Sequence, residues 1–218
     1  MSQSNLPVFV VDDDKAVLKA MSRLLRSDGL DVRSFATPAE FLDAYDPGAA
    51  GCLVLDLTMP GLSGLELQRV LLERGSSPPV VFLTGTGCIP SSVKAIRQGA
   101  IDFLTKPADD EALLRAVRQA LDAERAARRE RLELIDLRRR LRELTPRERE
   151  VLEHVVCGRL NKQIAADLAI AEKTVKVHRA RVMEKMQVES LAELVHVAQR
   201  LGVRAPEALE AGEKAHSA

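Results

Sequence analysis

The stretch Gly51-Cys52-Leu53-Val54-Leu55-Asp56-Leu57-Thr58-Met59-Pro60-Gly61 constrains this chain most. Its apolar residues run without helical gaps, stop at a carboxylate and meet a Pro-Gly turn signal almost at once. A short run of this kind reads as a strand buried on both faces, as in a parallel sheet. Asp56 then stands at the carboxyl end of the strand, where open α/β sheets place their ligand sites. A plain capping or turning role for Asp56 competes with that reading.

Three more runs end in a similar way. Leu6 to Val11 leads into Asp12-Asp13-Asp14, Val80 to Leu83 into Thr84-Gly85, and Ile101 to Leu104 into Thr105-Lys106-Pro107. In a parallel sheet these ends meet at one edge. Carboxylates gathered there repel one another and call for a divalent cation, and oxygen ligands of this type suit Mg²⁺. The lysine and the hydroxyl are then left for an incoming anion.

Helical patterns fill the gaps between strands. Val17, Leu18, Met21, Leu24 and Leu25 mark one apolar face. Asp14 before them reads as an N-cap rather than a ligand. Leu30 to Phe35 alternates as a strand. Thr37-Pro38-Ala39-Glu40 and Ser63-Gly64-Leu65-Glu66 open two further helices with N-cap hydroxyls and Glu at N3. A shorter helix covers about Ser91 to Gln98, and another starts near Asp109. Five strands alternating with five helices imply a doubly wound parallel sheet.

Residues 123–143 contain no Gly or Pro and are rich in helix formers, so this linker reads as helical. Leu134, Leu137, Leu141 and Leu144 form a stripe. It either packs on its own domains or makes a short coiled-coil seam between subunits. Leu144-Thr145-Pro146-Arg147-Glu148 is a third capping box. All-helical segments follow at Pro146–Cys157, Asn161–Leu168, Glu172–Met186 and Ser190–Leu201. Ile164, Leu168 and Val175, joined across Ala169-Ile170-Ala171, have helix-turn-helix spacing.

Formal net charge is zero, but it is unevenly spread. Residues 1–122 carry 12 basic and 16 acidic groups (−4), and residues 123–203 carry 18 and 13 (+5). The basic second half fits a nucleic-acid contact. Cys52, Cys88 and Cys157 form no disulfide or metal pattern, and Cys52 reads as a small buried hydrophobe. With no run of about 20 apolar residues and no signal-peptide pattern, a cytoplasmic protein without membrane contact is expected.

Residues 6–121 resemble a two-component receiver domain. The resemblance rests on Val10-Val11-Asp12-Asp13-Asp14, Leu55-Asp56-Leu57-Thr58-Met59-Pro60-Gly61, Leu83-Thr84-Gly85 and Asp102-Phe103-Leu104-Thr105-Lys106-Pro107. Residues 142–203 resemble the LuxR-type DNA-binding domain through Leu144–Leu152, Asn161-Lys162-Gln163-Ile164-Ala165 and Lys173-Thr174-Val175-Lys176-Val177-His178-Arg179. Together they are similar to a response regulator of the NarL/FixJ class, and Phe82–Gly87 followed by Ile89-Pro90 points to its FixJ-type branch. The implied architecture is a flavodoxin-like α/β receiver over 1–122, a helical linker over 123–141, an all-α four-helix helix-turn-helix domain over 142–203 and a flexible tail over 204–218.

The resemblance implies roles residue by residue. Asp56 is the phosphoacceptor for a partner histidine kinase. Asp13, Asp56 and the backbone carbonyl of Thr58 bind Mg²⁺, with Asp12 acting through water. Lys106 and Thr84 bind the phosphoryl group, and Thr84 with Phe103 forms a switch. Val93 and Arg97 mark a candidate dimer face, although Val93, on an apolar helical stripe, equally suits the core. Lys162, Lys173, Thr174, Lys176, His178 and Arg179 face duplex DNA at a promoter, with RNA polymerase as a further partner. Phosphorylation would then promote homodimerisation and promoter binding. This sequence departs from the family pattern at Gly85-Thr86-Gly87-Cys88, at Ala108, where a Phe is usual, and at Ala171, which cannot cap the recognition helix as a Ser would.

Two other classes compete. An enzyme using Asp56 as a covalent nucleophile would want an acid/base partner two residues on, where Thr58 stands. A regulator independent of phosphorylation would use the first domain only to bind proteins, and keeping Asp12, Asp13, Asp56, Thr84 and Lys106 together argues against it.

Overall fold

The computed structural model describes residues 6–85 and 100–203. The chain divides into two units, Met1–Arg128 and Arg129–Ala218. In the first, five parallel strands, β1 (Val8–Val11), β2 (Val32–Phe35), β3 (Cys52–Asp56), β4 (Val80–Thr84) and β5 (Asp102–Thr105), lie in the order β2-β1-β3-β4-β5. Helices α1 (Lys15–Ser27), α2 (Pro38–Ala44), α3 (Gly64–Glu73) and α4 (Asp110–Arg142) complete the described elements of this unit. The expected helix near Ser91–Gln98 falls outside the described residues, as do Val93, Arg97 and Cys88.

Alternate side chains of a strand point to opposite faces, so the apolar strands feed two cores. Val8, Val10, Val54, Val81 and Leu83 meet Leu18, Met21 and Leu25 of α1 and Leu113, Val117 and Leu121 of α4. Phe9, Val11, Leu53, Leu55 and Phe82 meet Phe41, Tyr45, Leu67 and Leu71. Phe9, Phe35, Phe41 and Tyr45 form a ring cluster of mostly edge-to-face contacts, with centroids 4.8 to 5.8 Å apart. Each fully buried large side chain contributes roughly 2 kcal/mol by leaving water. Cys52 is buried as expected, and burial pushes its thiol up to about 12.

The caps read from sequence hold the helix starts. Asp14 accepts from the amides of Ala16 and Val17, Thr37 from Glu40, and Ser63 and Thr145 form reciprocal boxes with Glu66 and Glu148.

The second unit contains the end of α4 with α5 (Pro146–Val156), α6 (Asn161–Asp167), α7 (Glu172–Met186) and α8 (Leu191–Arg200). Its core joins Leu152, Ile164, Val175, Val182, Met186 and Leu194. Ala169 in the α6–α7 turn has a left-handed φ of 52°, which costs a residue bearing a Cβ about 1 kcal/mol.

Three of the four stripe leucines resolve in favour of packing on their own domain, while Leu134 is half-buried and lies outside that core. Leu137, Leu141 and Leu144 are buried in the core of the second unit, so they are not free to form a seam between subunits. Periodicity shows that a stripe needs cover but not which surface supplies it. The pair that α4 leaves exposed is Leu132 and Ile135.

Candidate functional site

The strand register brings the polar ends together. Val11 pairs with Leu55, Asp56 with Leu83 and Thr84 with Thr105. The residues at or just beyond those ends are therefore Asp12, Asp13, Asp56, Thr84 and Lys106. Oxygens of Asp12, Asp13 and Asp56 lie within 4.8 Å of one another. Asp12 and Asp56 are buried, and Asp13 is exposed.

Lys106 Nζ sits between two of these carboxylates, 2.5 Å from Asp12 Oδ2 and 3.3 Å from Asp56 Oδ2. The other oxygen of Asp12 accepts the Asp14 amide at 3.0 Å. Asp56 Oδ1 is buried and accepts no hydrogen bond among the described residues. Burial raises the Asp56 pKa above its ordinary value. Lys106 opposes that rise and the Asp12 charge adds to it. Burial pulls Lys106 down, but its contacts with Asp12 and Asp56 outweigh this and its pKa ends up raised.

One ammonium cannot neutralise three carboxylates. Two like charges 4 Å apart repel by about 4 kcal/mol at the effective dielectric near a protein surface. Clustered hard oxygens with one buried lone-pair site unfilled are a donor set that fits a small divalent cation.

The switch candidates flank this cluster. Thr84 is fully buried at the end of β4, and its carbonyl accepts the Lys106 amide at 2.6 Å. Phe103 is half-buried on β5 opposite Phe82. Thr58 is exposed, and its backbone amide bonds the Asp56 carboxylate. The Lys106-Pro107 peptide is cis.

Gly64, at the start of α3, is a supporting residue that the sequence reading took only as part of a capping box. A Cβ there would stand 2.3 Å from the Asp56 carbonyl oxygen and 3.1 Å from Leu55 and Phe82 side-chain atoms. Only glycine lets α3 start this close to the end of β3. The available signal was a glycine inside a helix-opening motif, where it is a poor helix former.

In the second unit α7 exposes Lys173, Thr174 and Lys176 along one side, and α6 exposes Lys162. Arg181 adds another exposed cation on α7 that the motif does not single out. Lys176 leans on Glu172 at 3.4 Å. His178 is half-buried. Arg179 is also half-buried and donates to Asn161 Oδ1 at 2.8 Å, which ties α7 to the start of α6. Ala171 gives α7 no side-chain cap, as read from the sequence.

A second contact that sequence reasoning missed fixes this unit. Glu148 is buried and accepts Lys185 Nζ at 2.7 Å and the Thr145 amide at 2.9 Å. The separation of 37 positions between Glu148 and Lys185 hides the pair from any local pattern.

Comparison with known proteins matches residues 8–118 to the response regulator receiver domain and residues 142–198 to the bacterial regulatory proteins of the LuxR family. The chain is 46% identical over 201 residues to the response regulator protein TodT of Pseudomonas putida, covering 92% of this chain and 88% of that protein. It is 46% identical to the transcriptional regulatory protein FixJ of Azorhizobium caulinodans, over 91% of this chain and 94% of that one. Among solved structures, the response regulator StyR superposes with a TM-score of 0.81 at 45% identity, covering 90% of this chain and all of that one.

Proposed function

We infer, from a chain that belongs to the response regulators of the NarL/FixJ class and so pairs a receiver with a LuxR-type DNA-binding domain, that its transcriptional activity is set by phosphorylation of Asp56. The observation that carries this reading is the buried Asp56 oxygen that accepts no hydrogen bond among the described residues, inside a three-carboxylate cluster beside Lys106.

The donor is a phosphohistidine on a sensor kinase. An Asp56 oxygen attacks phosphorus in line, the P–N bond breaks as the P–O bond forms, and the electron pair leaves with the imidazole. Asp13, Asp56 and the Thr58 carbonyl would hold Mg²⁺, with Asp12 acting through water, and the ion would supply positive charge to offset that on the phosphoryl oxygens. Lys106 Nζ turns from the carboxylates to the phosphoryl group, and the Thr84 hydroxyl donates to another of its oxygens. The phosphoryl group carries about −1.5 to −2 charges in place of the single charge of the carboxylate, where burial already disfavours charge. Thr84 moving inward leaves room for Phe103, and the surface that follows them forms a homodimer.

In the second unit α7 enters the major groove. Lys173 and Lys176 reach bases or phosphates, while Lys162, Thr174 and His178 meet phosphates. Arg179 keeps α6 and α7 in register through Asn161 and reaches DNA with its remaining donors. Two such units on half-sites about one helical turn apart raise affinity through effective concentration, with no change in any base contact. No described helix is long and apolar enough to cross a membrane, and a DNA partner fits a cytoplasmic location.

The test is mass by light scattering and promoter affinity by titration, each with and without a small phosphodonor. The expected result is a phosphodonor-dependent dimer that binds promoter DNA more tightly and loses affinity as salt rises. Lys176→Ala should weaken binding and lower the salt slope by about 1. Tighter binding by a protein that stays monomeric would remove dimerisation from this account.

A further inference from the structure

Residues 1–122 carry a net charge of −4, yet one side of α1 is uniformly cationic. Lys15, Lys19, Arg23 and Arg26 share a stripe because steps of four, four and three residues return to the same helical face. The first three stand about 6 Å apart along the axis. With Leu18, Ser22 and the edge-strand residue Ser34, these cations line a groove of about 630 Å³. That volume lies within the range of small-ligand sites.

Nothing among the described residues neutralises the row. Asp28, at the end of α1, is held by Arg118, and Asp14, at its start, caps the helix. Arg26 donates to the Val32 carbonyl at 3.0 Å, which fixes its position without touching its charge. Lys15, Lys19 and Arg23 form no ion pair with any described carboxylate. Like charges one turn apart repel, so the row stands against its own electrostatics.

Ser22 gives an independent sign of a ligand. Its side chain is 5% exposed and lines the groove, and its hydroxyl makes no hydrogen bond among the described residues. Buried hydroxyls almost always find a partner, and an anion's oxygen would supply one. Leu18 and the methylene stems of the lysines and arginines give the groove an apolar floor. Cations in a row, hydroxyl donors and an apolar floor together select a phosphate ester with a flat or apolar body.

We propose that this groove over α1 and β2 binds a nucleotide. Its phosphates lie along Lys15, Lys19, Arg23 and Arg26, the Ser22 hydroxyl donates to a phosphate oxygen, and the base or sugar rests on Leu18. The site uses neither Asp56 nor Lys106 and stands independently of the phosphoacceptor reading.

The experiment is an amide-shift titration of the full-length protein with ATP, inorganic pyrophosphate and adenosine. Divalent cation is omitted so that the carboxylate cluster does not recruit phosphates. The expected result is saturable shifts in α1 and at Ser34 with ATP, weaker binding of pyrophosphate and little response to adenosine. Ser22→Ala and Lys19→Gln should each weaken ATP binding about tenfold. Both variants should keep wild-type labelling of Asp56 by a phosphodonor, and Ser22→Ala should unfold at no lower temperature than wild type. Pyrophosphate binding as tightly as ATP would overturn the nucleotide assignment. An absence of shifts in α1, or ATP affinity unchanged in both variants, would overturn the site.

Discussion

Each unit buries a carboxylate against a lysine, and the two pairs are finished in opposite ways. Glu148 spends one oxygen on both Lys185 and the Thr145 amide, and these bonds outweigh the burial that would raise its pKa, so its pKa is lowered. Asp56 shares its lysine with Asp12, takes the Thr58 amide, leaves Oδ1 without a partner among the described residues, and has its pKa raised by burial. The same two residue types thus make a closed structural clasp in one unit and an open reactive site in the other. What separates them is completeness of hydrogen bonding, because a satisfied buried charge rigidifies a fold while an unsatisfied one destabilises it.

The largest expected effect lies under the open site. Gly64→Ala places a Cβ against the Asp56 carbonyl, and overpacking of this kind costs about 3 kcal/mol. Chemical denaturation of the full chain, followed by hydrogen exchange in β3 and β4, should register that loss in the first unit and leave the second unchanged. Unchanged protection would mean that α3 can retreat and that its close approach does not position Asp56.

Breaking the closed clasp comes next. Glu148→Ala removes the capping-box acceptor and leaves Lys185 without its carboxylate. Lys185 is partly solvated, so the cost is about 2 kcal/mol, below that of a fully buried pair. Acid should act in the same direction. The folded pKa of Glu148 is lowered from 4.5, so its contribution is complete above the unfolded value and fades as pH falls through the folded one. The raised pKa of Asp56 has the opposite sign. Its contribution is present below the ordinary value of 3.8 and is lost as pH rises through the folded value. Exchange measured between neutral and acidic pH should therefore show α5 and α7 losing the Glu148 contribution while the Asp56 contribution is recovered.

The smallest effect on stability is expected at the reactive carboxylate. Without divalent cation, Asp56→Asn should leave the first unit as stable as wild type or more stable by about 1 kcal/mol, because it removes a buried charge beside Asp12. A loss of 2 kcal/mol or more would make Asp56 a structural clasp like Glu148 and erase the distinction between them.

The open site was far more legible in sequence than the closed one. A parallel sheet sends strand ends to one edge, so apolar runs ending in Asp12, Asp56, Thr84 and Lys106 announce their meeting place. Glu148 was visible as the third residue of a capping box, but its partner Lys185 lies two helices away and no periodicity links them. The same limit hid the destination of Leu137 and Leu141. Their spacing demanded cover, and only the packed unit shows that α5 to α8 supply it. Gly64 was legible as a helix-opening residue, while the reason for a glycine depends on a carbonyl eight positions earlier in another element.

The central claim is that the unsatisfied carboxylate of Asp56 is the reactive group. The direct test is intact-protein mass after incubation with a small phosphodonor, with and without Mg²⁺, on wild type and Asp56→Asn. This account predicts the gain of one phosphoryl group by the wild type, only when Mg²⁺ is present, and none by the variant. Equal labelling of Asp56→Asn would contradict it.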